Sequence, residues 1–240
     1  MTTRRFDGPE PAAIGLSFVI PALNEATTLG GVIASLQEAA SRLGISCEAL
    51  VIDGGSTDGS PEEARRAGAR VLEDRGGYAA SVLHGLHEAR GEFALVLDGD
   101  GSHDPSQLPG LWSKRHDADL VIGSRFIEGG STDVALTRLV LTRVLNLFFW
   151  AVLRMPARDC SSGYRLYRRS LLAGLTLHAK GFEFQQDMLL ALLERGARVR
   201  ESPISYRWRK AGDSKARPLA LALALAGVLV RRRFGLFGIF

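Results

Sequence analysis

The sequence predicts one α/β domain built on a mostly parallel sheet with helices on both faces. Three observations carry that expectation. Short apolar runs recur at residues 16–20 (LSFVI), 49–52 (ALVI), 93–97 (FALVL) and 119–122 (DLVI), and they lack the polar alternation of a half-exposed strand. Segments with helical spacing separate these runs, so strand and helix alternate. The chain has 240 residues, 46% of them hydrophobic, enough for one full core.

The elements follow in order. The first run stops at Pro21, and Asn24 is placed to cap a helix reaching about residue 43. The second run ends at Asp53 and a glycine-rich turn, after which Ser60-Pro61-Glu62-Glu63 has the sequence of a capping box with proline at the first helical position. Residues 71–72 form a weaker strand, 78–90 a helix, and 93–97 and 119–122 the fourth and fifth strands. Residues 134–155 are a long apolar helix interrupted by Arg138 and Arg143, 162–168 (SGYRLYR) alternates like a strand, 184–195 is helical and 199–206 extended. Residues 1–14 read as a polar extension without the apolar core of a signal peptide, 15–215 as the domain, and 216–240 as an apolar and basic tail. Residues 219–230 (LALALALAGVLV) run into Arg231, Arg232 and Arg233, well short of the roughly 20 apolar residues that a membrane span needs. An interfacial helix with basic anchors is the expectation, and a helix packed on the domain the alternative.

A formal charge of +4 and a pI near 9.4 suit anionic substrates or an anionic membrane face, with no nucleic-acid partner expected. Cys47 and Cys160 lack a CxxC spacing or a neighbouring histidine, so no disulfide framework or zinc site is implied and a reducing cytoplasm is the natural setting. The first strand is not followed by GxGxxG, and no GxxxxGK[ST] occurs, so neither a dinucleotide fingerprint nor a P-loop is present.

In parallel sheets, ligands bind beyond the carboxyl ends of the strands. Those ends carry Pro21-Ala22-Leu23-Asn24-Glu25, Asp53-Gly54-Gly55-Ser56 and Asp98-Gly99-Asp100. Asp98 and Asp100 on a turning backbone suit one hard cation, Mg2+ or Mn2+, which would also bridge a diphosphate; an acidic turn is the plainer reading. Asp53 either accepts hydrogen bonds from a base or ribose, or simply makes a turn, and Asn24 and Glu25 either bind or cap. Arg138 and Thr142 share a helix face, where an inward arginine is costly unless it meets an anion; snorkelling to solvent or headgroups is the alternative for Arg138 and Arg143. His84, His87 and His103 read as surface or core histidines, and Cys160 as a small buried residue.

The ordered series LSFVIPALNE, VIDGGSTDG, LVLDGDGSHDP, ADLVIGSRF, DCSSGYRLYRR, KGFEFQQDM and PISYRWRKAGDSK covers about residues 16–215. It resembles the family 2 glycosyltransferases of the GT-A fold and, among them, the dolichol-phosphate (polyprenol-phosphate) mannosyltransferases. The resemblance implies that Pro21, Asn24, Glu25, Asp53 and Asp98 hold a nucleotide-sugar donor and that Asp98 and Asp100 bind the metal. It also implies that Arg125, Arg138, Thr142 and Arg209 receive a polyprenyl phosphate, with Asp100, Arg125 and Asp187 in the catalytic set. Three departures stand out: Ser102 replaces a glutamine ligand, Leu23 replaces a tyrosine or similar residue, and Gly54 replaces the second carboxylate of an Asp-Asp-Gly-Ser turn. The implied reaction is inverting transfer of a hexose, mannose from GDP-mannose, to the lipid phosphate at the cytoplasmic face of a membrane. Transfer to a soluble hydroxyl, with Asp187 as general base, is the alternative, followed by nucleotide binding without transfer. A nucleotidyltransferase is disfavoured, because PALNEATTLGG lacks the lysine and glycine spacing of such loops.

Overall fold

Strand and helix alternate in the predicted order along the first half of the chain: β1 (Leu16–Ala22), α1 (Ala26–Arg42), β2 (Cys47–Asp53), α2 (Ser60–Arg66), β3 (Arg70–Glu73), α3 (Tyr78–Glu88) and β4 (Phe93–Val96). A 3-10 turn at Pro105–Gln107 leads into α4 (Leu108–Ser113), β5 (Leu120–Ser124), β6 (Ser131–Thr132), α5 (Leu136–Val152), β7 (Arg165–Arg168), α6 (Phe184–Glu194), β8 (Val199–Pro203) and β9 (Ser205–Tyr206). The computed structural model describes residues 14–152, 155–175, 177 and 184–208. The expectations for residues 1–13, for Arg209 and for the 216–240 tail lie outside the described residues.

Seven strands form one sheet in the order β3-β2-β1-β4-β7-β5-β8, and β6 pairs with β9 in a separate ribbon. All neighbours in the large sheet are parallel except β7, which runs antiparallel between β4 and β5. Successive side chains of β1 serve opposite faces. Val19 belongs to one core with Leu50, Val82, Leu86, Phe149 and Met188, while Phe18 and Ile20 belong to the other with Leu29, Ile33, Leu36 and Leu95. Two cores sandwich the sheet, and this is why its strands read as unbroken apolar runs.

Three local expectations are corrected. Pro21 does not end β1, because it pairs with Ile52 inside the strand. The Val19 carbonyl accepts from Leu97 on the β4 side and the Ala22 carbonyl from Gly54 on the β2 side. Pro21 therefore faces β4 where that ladder has already ended, and its missing N–H is not needed. Asn24 does not cap α1. Its backbone is left-handed at φ 58°, and Glu25 holds the cap position without a side-chain bond. Ser60 does not open a capping box either. It is the first residue of α2, preceded by Gly59 at φ 90°, and Asp58 takes both its N–H and its hydroxyl proton.

Candidate active site

The three polar loops predicted at strand ends do meet along one edge, and the first two are laced together. The Asn24 N–H donates to Ser56 Oγ at 2.9 Å and Asn24 Oδ1 accepts from the Thr57 N–H at 2.9 Å. The Glu25 N–H donates to Ser60 Oγ at 2.8 Å and the Ala26 N–H to Asp58 Oδ2 at 3.0 Å. These bonds satisfy N–H groups at the start of α1 that lack helical partners, and they explain Asn24: its left-handed turn aims both backbone and amide at the facing loop. Pro21 is buried at the strand end, while Leu23 and Asn24 are exposed beside it. Asp53 is buried and accepts from the Gly55 and Ser56 N–H groups, each at 3.0 Å. Its carboxylate shapes the turn from within.

Asp98 and Asp100 follow β4 and are both partly exposed at this edge. Asp100 Oδ1 accepts from the Ser102 N–H at 2.9 Å. Gly99 between them is tightly confined: its carbonyl accepts from Thr28 Oγ1 at 2.9 Å, and a Cβ there would lie 2.5 Å from Glu25 Oε2. A side chain at this position would push the Glu25 carboxylate aside and crowd Leu29, so the bare backbone of Gly99 keeps the acidic turn close to α1. Among the described residues no cluster of three or more His, Cys, Asp and Glu forms a metal site. Two carboxylates fit a Mg2+-type cation that takes its remaining oxygens from water and a diphosphate. His103 is buried and accepts from the Asp98 N–H through Nδ1 at 3.4 Å. Burial pushes its pKa down to about 4 despite nearby Asp100, so near neutral pH the ring is uncharged.

Beyond β5 the site changes character. Arg125 grips the fully buried Asp159 in a two-pronged pair, Nε to Oδ2 at 2.7 Å and Nη2 to Oδ1 at 2.8 Å, and also donates to Ser161 Oγ at 2.8 Å. Burial alone would raise the Asp159 carboxyl, but the Arg125 charge and hydrogen bonds outweigh it and hold the group below the usual carboxylate range. Asn146 of α5 joins the network, donating to Ser161 Oγ at 3.1 Å and accepting from the Cys160 N–H at 2.7 Å. Arg125 and Thr142 line one small pocket, of about 40 Å³, with Phe126, Thr132, Tyr206 and Trp208. Two of the four residues expected at an acceptor phosphate thus come together. Arg138 lies on α5 one turn before Thr142. Asp187 sits in the first turn of α6 with no exposed surface and with interactions of its own.

Three further residues join the site, Gln185 and Tyr206 from within the KGFEFQQDM and PISYRWRKAGDSK segments and Tyr78 from outside any of the quoted segments. Tyr206 stacks near the Arg125 guanidinium at 5.4 Å, and burial together with the charges of Asp98 and Asp100 raises its phenol pKa; it stands between the acidic pair and the arginine. Tyr78, the first residue of α3, hydrogen-bonds Asp98, and burial and that carboxylate push its phenol well above the ordinary value. Gln185 of α6 donates to the same phenol oxygen at 3.3 Å. Each comes from an element distant in sequence from Asp98, so no spacing could reveal it. His84 pairs with Asp74 at 3.1 Å, and Cys160 is buried with its thiol pushed up to about 12 by burial.

The chain is 31% identical over 205 residues to the low-salt glycan biosynthesis hexosyltransferase Agl6 of Haloferax volcanii, a match spanning 81% of this chain and 48% of that protein. It is 38% identical over 102 residues to the polyprenol monophosphomannose synthase of Mycolicibacterium smegmatis, spanning 41% of this chain and 38% of the relative. The chain thus spans about half, or less, of these curated relatives. Among solved structures, it resembles glucosyl-3-phosphoglycerate synthase from Mycobacterium tuberculosis, in complex with Mn2+, uridine diphosphate and glucosyl-3-phosphoglycerate. The TM-score is 0.69 at 22% identity, covering 92% of this chain and 80% of the other. That likeness shows the mostly parallel, single-domain GT-A architecture; the same synthase has been solved with Mg2+ and uridine diphosphate. The glycosyl transferase family 2 model matches residues 17–175, and with the strand-end acidic loops in place the chain belongs to that family.

Proposed function

We propose that this protein transfers a hexose, mannose from GDP-mannose in the first instance, to a polyprenyl phosphate with inversion at the anomeric carbon. The observation that carries the reading is the pairing of an acidic turn, Asp98 and Asp100, with a small pocket beyond β5 that Arg125 and Thr142 line. The relatives' names support the sugar and acceptor classes. Mg2+ or Mn2+ held by Asp98 and Asp100 would supply positive charge to the departing nucleoside diphosphate.

The residues of the chain do the rest. Pro21, Asn24, Glu25 and Asp53 form the donor side, where the two laced loops fix the floor before substrate arrives. Arg125, Thr142, Arg138 and Arg209 would form the acceptor side. Arg125 has Nε and Nη2 committed to Asp159 and Ser161 and would offer the phosphate Nη1 alone, so the two-pronged bond that suits phosphate would come from the other arginines. A phosphate monoester, with a second pKa of about 6, is already nucleophilic near neutral pH. One of its oxygens bonds to the anomeric carbon as the bond from that carbon to the diphosphate breaks, and no protein base is required. The full burial of Asp187 supports an acceptor that brings its own nucleophile over a hydroxyl that needs deprotonation.

The exterior of α5 supports work at an anionic membrane face. Leu136, Val140, Val144, Leu147, Phe148 and Trp150 are exposed along it. Between Asp133 and Asp159 the chain has Arg138, Arg143, Arg154 and Arg158 and no acidic residue, a combination that suits anionic headgroups. Among the described residues no helix is long and apolar enough to cross a membrane.

A radiolabel assay tests the proposal. GDP-mannose and UDP-glucose are offered separately, with Mn2+ or Mg2+ and either a short polyprenyl phosphate or 3-phosphoglycerate. Label should enter the organic phase with the lipid acceptor, and Asp100→Ala should lower transfer on the order of 100-fold or more. Transfer to 3-phosphoglycerate alone would replace the lipid reading with a soluble-acceptor one.

A further inference from the structure

Gly163 lies in the loop before β7, and its backbone passes the acidic turn at close range. A Cβ at this position would lie 3.0 Å from Tyr78 Oη, 3.5 Å from Gln185 Nε2 and 4.0 Å from Asp98 Oδ2. Gly163 does not have a positive φ, so glycine is needed here for room and not for backbone freedom. Three polar groups, from α3, α6 and the end of β4, therefore converge over one bare backbone position.

The hydrogen-bond directions in this cluster follow from one another. Gln185 Nε2 donates to the phenol oxygen of Tyr78, which leaves the single phenol proton to point at Asp98. The frame behind it is rigid. Arg165, fully buried, donates to three backbone carbonyls, those of Ser162 at 2.8 Å, Gln185 at 2.6 Å and Cys160 at 2.7 Å. One guanidinium thus spaces α6 from the loop that carries Gly163.

We propose that Tyr78, aimed by Gln185 and given room by Gly163, is a positioning residue that holds the Asp98 carboxylate for the divalent cation. The inference rests on the reading of Asp98 as a metal carboxylate and adds the residues that orient it. A carboxylate held by a phenol on one side loses less freedom when a cation binds on the other. Outer partners of metal ligands are typically worth about ten- to a hundredfold in affinity, and one phenol on one of two carboxylates belongs at the low end.

The test is Mn2+ binding in the presence of a nucleoside diphosphate, read by electron paramagnetic resonance without turnover, in wild type, Tyr78→Phe, Gln185→Leu, Gly163→Ala and Asp98→Asn. Tyr78→Phe keeps the ring and should raise the Mn2+ dissociation constant about tenfold with an unchanged thermal midpoint. Gly163→Ala and Gln185→Leu should shift it the same way by less. In the transfer assay the Mn2+ concentration for half-activation should rise while kcat at saturating Mn2+ is nearly kept. Should Tyr78→Phe unfold, the other two variants carry the same measurement. Wild-type Mn2+ affinity in the folded Tyr78, Gln185 and Gly163 variants, with affinity lost in Asp98→Asn, overturns the positioning role and leaves the metal site standing. Wild-type affinity in Asp98→Asn overturns both.

Discussion

At the ends of β1 and β2 the loops are held by hydrogen bonds between backbone N–H groups and short side chains, Asn24, Ser56, Asp58 and Ser60. At the end of β5 the corresponding work is done by a buried ion pair, Arg125 with Asp159, tied to α5 through Ser161 and Asn146. The first kind of construction is made of many small contributions, each worth roughly 1 kcal/mol net. The second concentrates its contribution in two charges that cannot be separated cheaply. The proposed donor side should therefore tolerate single substitutions, while the proposed acceptor side should fail when one partner is removed.

The largest expected effect breaks the acceptor side. Asp159→Ala leaves the Arg125 charge buried without its carboxylate and should cost about 3–5 kcal/mol of folding stability, read by urea denaturation. The double variant Arg125→Met, Asp159→Leu should recover most of that loss, because removing both charges also removes their desolvation penalty. It should not recover transfer, since the arginine that lines the Thr142 pocket is gone. A loss in Asp159→Ala no larger than that of Asn24→Ala would mean that the two halves are built alike after all.

The same contrast governs what could be read from the sequence. The donor side was legible because its residues sit within a few positions of apolar strand ends, so Asp53, Asp98 and Asp100 fell on one edge once the alternation was recognised. What local pattern does not disclose there is the partner: Pro21 reads as a stop but its missing N–H faces a ladder that has ended, and Asn24 and Ser60 read as caps but bond across to the facing loop. The acceptor side was legible mainly through resemblance. Arg125 gave no sign of Asp159, which lies 34 positions away, and Tyr78 lies 107 positions from Gln185. The antiparallel insertion of β7 was likewise hidden, because an alternating pattern like SGYRLYR does not disclose a strand with Arg165 and Leu166 both buried.

A pH series sharpens the comparison where the two sides meet. His103 contacts the acidic turn and also meets Tyr206 edge-on, with ring centroids 5.3 Å apart. Its pKa is 6.5 in the free side chain and about 4 here, so the unfolded chain takes up the proton first. Stability is then fully present above pH 6.5 and falls as pH drops toward 4, by on the order of 3 kcal/mol. Asp159 acts in a separate window: its pKa is depressed below the ordinary 3.8, so its contribution is lost only as pH falls through that lower value. Thermal midpoints of metal-free protein between pH 4.5 and 7 should decline toward acid in wild type and stay nearly flat in His103→Gln. An equal decline in both would remove His103 as the cause.

The smallest effect on the fold should come from the face of α5 that lies outside both cores. Val144 and Leu147 are 58% and 57% exposed, while Asn146 and Phe149 on the opposite side are buried and anchor the helix. Changing Val144 and Leu147 together to glutamate removes no core contact, so stability should stay within about 0.5 kcal/mol per site. The same change places two negative charges where Arg143 and Arg158 would meet anionic headgroups, and Arg158 already stacks on Trp150 at 4.1 Å. Flotation with vesicles containing anionic lipid should show wild type bound and the double variant free. Transfer to a short, water-soluble polyprenyl phosphate should survive, whereas transfer to a long-chain acceptor in vesicles should fall. If both acceptors are affected alike, α5 serves the acceptor pocket directly and its apolar exterior is not the membrane face. If neither is affected, the arginines and Thr142 capture the phosphate without help from the helix that carries them.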